Sequence, residues 1–221
     1  MGKGSGAPTV VLMRPSLPMG FFDLCLVPRH DFSSEPQKLS SLVVTEGALN
    51  RVVAGEGTRE GKLILLGGPS KTHGWDGDAM MKSLAELTRE GEWQLTDSRR
   101  TPEGFVERIR IELPGITIHP HQETGPDWLP RILQQVDEVW VGEDSVSMTY
   151  EALSSGAKVG VLPVPRLRED SRVLRGLDAL IKQGRLSSLM DWQAADRSLP
   201  EAQPLREADR CAGLLLEALN L

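Results

Sequence analysis

Cysteine is scarce in this sequence: Cys25 and Cys211 are the only two in 221 residues. A disulfide framework is therefore not expected, and a reducing cytoplasm is the compartment that fits. Cys25 lies inside the run Phe22-Asp23-Leu24-Cys25-Leu26-Val27, where a thiol behaves as a small buried hydrophobe. Long apolar runs are missing as well. Nothing approaches the roughly 18 consecutive apolar residues of a membrane span, and Met1-Gly2-Lys3-Gly4-Ser5-Gly6 precedes too short an apolar run for a signal segment. Neither a membrane span nor secretion is expected. Positive charge is also in deficit. The 31 acidic residues outnumber the 25 basic ones, for a formal charge of -6, so binding to nucleic acid or anionic lipid has no bulk electrostatic support. No nucleic-acid partner is expected, although a local anion site stays open. Internal repeats and low-complexity tracts are absent.

What is present is a soluble, core-forming composition, 39% hydrophobic and 25% charged. At about 150 residues per domain the length corresponds to roughly one and a half domains. Three short runs, Thr9-Val10-Val11-Leu12-Met13, Phe22 to Val27 and Leu42-Val43-Val44-Thr45, read as strands. The gaps between them, Arg14 to Phe21 and Pro28 to Ser41, are rich in Pro, Ser and Gly and too short for a crossover helix, so parallel strands joined this way would be unusual, and only the second gap just reaches the dozen or so residues a crossover needs. From Lys62 the pattern becomes strand, loop, helix, repeated. Strands are expected at Lys62 to Leu66, Trp93 to Thr96, Val106 to Ile111, Ile116 to Ile118, Glu138 to Val141 and Lys158 to Leu162. Helices are expected at Asp76 to Thr88, Trp128 to Gln135, Val146 to Ser155, Ser171 to Gln183 and Arg206 to Leu219. Unalternating strands between helices predict an α/β fold with an open parallel sheet covered on both faces. Val52 to Gly61, rich in glycine and charge, is the linker candidate.

In open α/β sheets ligands bind beyond the carboxyl ends of the strands, so four loops carry the chemistry. Gly67-Gly68-Pro69-Ser70-Lys71-Thr72-His73 offers backbone N–H groups and hydroxyls to an anion, or is a plain strand-ending turn. Thr96-Asp97-Ser98-Arg99-Arg100-Thr101-Pro102 places two guanidiniums and neighbouring hydroxyls where a phosphate could be gripped. Gly142-Glu143-Asp144-Ser145-Val146-Ser147-Met148 leads into a helix whose N-terminus could carry a diphosphate, with Asp144 or Ser145 as N-cap. Glu151, further along that helix, could accept both hydroxyls of a ribose. In Pro28-Arg29-His30-Asp31 a histidine beside a carboxylate suits a general base. His119-Pro120-His121 has no third ligand at metal-binding spacing, so no metal is expected.

Taken together, Pro28-Arg29-His30-Asp31, Gly47-Ala48-Leu49-Asn50-Arg51-Val52, Gly67-Gly68-Pro69-Ser70, Thr96 to Pro102 and Glu143 to Met148 resemble the mitochondrial-fission Elm-type family. Its bacterial members are labelled nucleoside-diphosphate-sugar epimerase-like or glycosyltransferase. The resemblance runs from about Thr9 to Arg185. It implies a GT-B-like fold, two Rossmann-like domains facing across a cleft, with a nucleotide sugar held chiefly by the second. Residues 1–55 would be an incomplete N-terminal Rossmann-like domain, since the family's earlier strand, helix and glycine-rich loop have no counterpart here, and 56–221 the complete nucleotide-binding one.

On that resemblance Gly68, Ser70, Ser98, Arg99 and Arg100 face the diphosphate. Glu143, Asp144, Ser145, Ser147 and Met148 form the helix-entry contacts, and Glu151 meets the ribose. His30 and Asp31 are the candidate catalytic pair. The donor would be a nucleoside-diphosphate sugar, the acceptor is open, and no covalently bound cofactor is implied. A short-chain epimerase activity fits poorly, because Tyr150, the one tyrosine, has Ser154 rather than lysine four residues on. The competing expectation is a non-catalytic scaffold that recruits a protein partner. A homodimer through the edge of the first sheet is a further expectation.

Overall fold

The computed structural model describes residues 6–32, 34–168, 171–201 and 204–219. Two parallel sheets organise it. The first contains β1 (Val10–Val11), β2 (Leu24–Pro28) and β3 (Leu42–Thr45) in sequence order. Its strands are parallel although, among the described residues, no α-helix joins them. One crossover carries a 3-10 turn at Met19–Phe21 and the other a 3-10 turn at Arg29–Asp31, and these short turns replace the usual helix. All of β2 is buried, as a central parallel strand requires.

The second sheet begins with β4 (Lys62–Leu65), α1 (Gly77–Leu87), β5 (Trp93–Thr96), α2 (Phe105–Glu112) and β6 (Ile116–His119). It continues through α3 (Trp128–Leu133), β7 (Glu138–Gly142), α4 (Val146–Ser155), β8 (Lys158–Leu162), α5 (Arg172–Lys182), β9 (Ser187–Ser188) and α6 (Leu189–Ala194). The chain closes with α7 (Glu207–Leu219). The spatial order is β6-β5-β4-β7-β8-β9, with every pairing parallel. The order reverses between β4 and β7, which is the switch point of a doubly wound Rossmann-like sheet.

The alternating direction of side chains along a strand splits this sheet's apolar residues into two cores. Leu63, Leu65, Val139 and Val141 face one core with Leu133, Leu153 and Leu177. Ile64, Leu66 and Trp140 face the other with Leu84, Leu95 and Ile109. That is why the strands read as continuous apolar runs. Helix starts follow local chemistry. Asp76 accepts the Ala79 N–H at 2.9 Å, and Ser171 accepts that of Leu174 at 3.2 Å. Gly156, at φ +79°, ends α4 in the left-handed conformation.

One expected strand is a helix. Val106 to Ile111 lies within α2 because Phe105 and Ile109, four apart, supply its buried stripe, and Ile111 is left in solvent. The expected linker is also packed in place. Val52 is buried in the core, Arg59 donates to the Leu133 and Ser155 carbonyls, and the Glu60 N–H donates to Gln135 O at 2.8 Å.

Several contacts join the two sheets. In the Gly47 to Val52 segment, Asn50 Nδ2 donates to Ser154 Oγ at 3.0 Å and to Tyr150 O at 3.3 Å, both on α4. A Cβ on Gly47 would stand 2.3 Å from the Tyr150 ring, so only glycine allows this approach. At the end of the chain α7 returns to the first sheet. Cys211 packs with Leu24 and Leu26, and Arg210 donates to Val44 O at 3.0 Å. Among the described residues no helix is long and apolar enough to cross a membrane.

Candidate functional site

A cleft of about 770 Å³ opens at the carboxyl edge of the second sheet, next to the switch point. One wall is the loop after β5, with Asp97, Ser98, Arg99 and Arg100. The facing wall is the start of α4, with Ser145, Ser147, Met148 and Glu151. His121 and Thr124 after β6, and Trp128 and Leu129 at α3, complete it.

The α4 end of the cleft is an anion-favouring surface. Ser145 is the N-cap but makes no capping hydrogen bond with its side chain. The first N–H groups of the helix have no partner in the preceding turn, and the helix dipole adds positive potential there. Arg99, opposite, is exposed and has no ion pair among the described residues. Burial pushes the Glu151 carboxyl upward, and the Arg51 charge offsets this in part.

The two neighbouring arginines have different work. Arg100 is tied inward, its guanidinium 2.7 Å from Asp144, whose side chain is fully buried. It also donates to the Gly68 carbonyl. Asp144 in turn accepts the Gly68 N–H at 2.9 Å. Asp144, Arg100 and Gly68 thus form a polar clasp that holds the loops after β4, β5 and β7 together. A Cβ on Gly67 would meet the Asp144 carboxylate at 2.0 Å, and one on Gly68 the Arg100 carbonyl oxygen at 1.9 Å. The glycines therefore serve the approach of loop to loop.

Of the residues singled out in the sequence, Ser98, Arg99, Arg100, Ser145, Ser147, Met148 and Glu151 come together around the cleft. Gly68 lies beneath it, with its N–H already engaged by Asp144. Ser70 folds into its own turn, its Oγ accepting the Thr72 and His73 N–H groups at 3.2 and 3.1 Å. Glu143 is nine-tenths buried and ion-paired with Arg166, which also meets Asp178 at 3.0 Å. That pairing holds the Arg166 guanidinium well above its usual pKa. Both acidic residues of the Glu143-Asp144 pair are thus occupied by internal arginines.

His30 and Asp31 lie elsewhere. They form the 3-10 turn that packs on α5, and His30 lines a separate cavity of about 200 Å³ with Phe32, Tyr150 and Gly176. His30 Nδ1 is 3.1 Å from the Tyr150 hydroxyl, and the rings stack at 5.5 Å. Burial pushes the Tyr150 phenol up to about 12, so it stays protonated and acts as a hydrogen-bonding group.

Sequence inspection missed a histidine–carboxylate pair inside the cleft. Asp97 Oδ1 accepts the His121 backbone N–H at 2.7 Å, and Oδ2 lies 2.9 Å from His121 Nδ1. The signal was in the register: Thr96 of β5 pairs with His119 of β6, so Asp97 and His121 both fall just beyond a matched pair. His119 itself bonds Gln94 at 2.9 Å and packs on Trp128. Among the described residues there is no cluster of metal-ligating side chains.

The two parallel sheets, with a crevice at the switch point of the larger one, define a GT-B-like α/β protein. A family model described as Mitochondrial fission ELM1 matches residues 2–219, and the chain belongs to that family. Among solved structures, a protein from Listeria monocytogenes described as a "putative UDP-N-acetylglucosamine 2-epimerase" superposes with a TM-score of 0.52 at 15% identity. The alignment covers 92% of this chain and 62% of that one, so the chain spans less than two thirds of its length. MurG of Acinetobacter baumannii aligns with a TM-score of 0.49 at 12% identity, over 98% of this chain and 69% of MurG. No curated protein matches the chain.

Proposed function

We propose that the cleft binds a nucleoside-diphosphate sugar and that the protein is a glycosyltransferase acting on such a donor. The observation that carries this reading is the meeting of the open α4 N-terminus with Ser98 and Arg99 across a cleft at the switch point. Helix N–H groups and the Arg99 guanidinium, which has no ion pair among the described residues, together match a diphosphate. On this reading Glu151, which lines the same cleft, accepts the ribose hydroxyls. As the bond from the sugar to the diphosphate breaks, negative charge grows on the departing phosphate, and prearranged donors stabilise it most at that moment. The donor of this reading needs no covalent cofactor and no metal for that step.

Isothermal titration of the full chain with UDP, GDP and their sugars tests the reading. Saturable one-to-one binding that competes with inorganic pyrophosphate is expected. No binding of any of them overturns it. One observation favours a second reading, a non-catalytic fold that recruits a protein partner: the expected base His30 lies outside the cleft and is held by Tyr150. Nucleotide-sugar binding without hydrolysis or transfer of the sugar over a panel of hydroxyl acceptors would favour that reading.

A further inference from the structure

The Asp97–His121 pair has a geometry that fixes the state of the imidazole. An ionised carboxylate can only accept hydrogen bonds, so Nδ1 must carry the proton it shares with Asp97 Oδ2. The second carboxylate oxygen is occupied by the backbone N–H of His121, so Asp97 grips this residue at two points and holds its ring in one orientation. Nε2 is the remaining functional atom and has no partner among the described residues. Neutral, Nε2 is an acceptor; protonated, it is a charged donor. His121 lines the same cleft as Ser98 and Arg99 and is partly exposed there.

We propose that His121, held by Asp97, is a protonation-dependent contact for the diphosphate of the nucleotide sugar. This rests on the reading of the cleft given above. The site then binds its anion with one constant cation, Arg99, and one conditional cation, the His121 imidazolium. The other charged groups lining the cleft are Asp97, which holds His121, Arg100, neutralised by Asp144, and Glu151 on α4, whose carboxylate opposes anion binding when ionised. Protonation of His121 therefore strengthens binding as pH falls, whereas protonation of Glu151 removes a repulsive charge but also weakens its acceptor role toward the ribose, and variants separate the two.

The experiment measures the dissociation constant of a nucleotide sugar, UDP-N-acetylglucosamine or GDP-mannose, from about pH 8 down to about pH 5.5, where its own phosphates stay fully ionised. Wild-type affinity is expected to rise about tenfold, equivalent to about 1.4 kcal/mol. His121→Gln should remove most of that rise, Glu151→Gln should keep it, and His119→Gln should leave the profile unchanged. Asp97→Asn, which frees the ring and its tautomer, should flatten the profile while circular dichroism stays native. In parallel, the His121 ring is followed by NMR with added sulfate, a dianion that does not titrate in this range. Sulfate should raise the midpoint of the His121 titration. A nucleotide sugar that binds equally at both ends of the range, or a His121→Gln protein that keeps the rise, overturns this inference and leaves the donor reading standing. If no nucleotide sugar binds, the donor reading fails, and the sulfate titration decides: an unmoved His121 midpoint overturns the inference as well.

Discussion

Arg99 and Arg100 are adjacent in sequence, yet they are used for opposite purposes. Arg100 neutralises a carboxylate that has no exposure to water, while Arg99 reaches into the cleft with no ion-pair partner among the described residues. Removing one partner of a buried ion pair leaves an uncompensated charge, at a cost of about 3 kcal/mol, reduced here because Arg100 is itself partly exposed. Arg100→Ala is therefore expected to lower stability by about 2 kcal/mol in urea unfolding. Arg99→Ala should leave the unfolding midpoint unchanged and weaken nucleotide-sugar binding at least tenfold by titration. Equal destabilisation by both would contradict this division of labour. Nothing local distinguishes the two residues, because the distinction comes from Asp144, which reaches Arg100 from a different strand end. His121 was hidden for the same reason: its partner Asp97 lies on the neighbouring strand's loop. Arg99, Ser98 and Ser145 were legible, because a polar residue just beyond a strand needs only the strand to be found.

At the scale of elements, glycine positions show how the loops are assembled. Gly68 sits where a Cβ would press on the backbone of Arg100, which cannot move aside without breaking the clasp. Gly68→Ala should destabilise the fold by about 3 kcal/mol, the upper range for overpacking. Gly213, in α7, has open space around it, and Gly213→Ala should stabilise by about 0.5 to 1 kcal/mol through helix propensity. Denaturant melts of the two variants should move in opposite directions, and a neutral Gly68→Ala would show that the loops are not held in close contact. Strand and helix positions were mostly readable, since the apolar period and the capping residues are local. The short β9 and α6 carried no clear local period, and α2 shows the limit. Val106 to Ile111 carries β-branched residues that suit a strand, and only packing of Phe105 and Ile109 beneath the sheet selects the helix.

At the scale of the whole molecule, the chain has placed separate reporters in its two sheets. Cys25 and Cys211 are both buried against the first sheet, Cys211 in the small core with Leu24 and Leu26 and Cys25 on the opposite face of β2, and burial pushes both thiols upward. The tryptophans, Trp75, Trp93, Trp128, Trp140 and Trp192, all pack on the second sheet. A three-stranded sheet with a small core is the weaker unit and opens first. Both thiols should therefore be inert to a thiol reagent in native buffer and become reactive together at a lower urea concentration than the loss of tryptophan fluorescence. Coincident transitions would mean that α7 and the Asn50 contacts fuse the two sheets into one cooperative unit. The sequence by itself determined the α/β alternation, the strands buried on both faces and the polar loops at their ends, because each depends on neighbours within a few residues. Only the tertiary structure decided which of those polar groups face the cleft and which lock the loops together. Hydrogen bonds and ion pairs such as Asp144 with Arg100, or Asp97 with His121, form between segments brought together by parallel crossovers, and no local pattern records those partners.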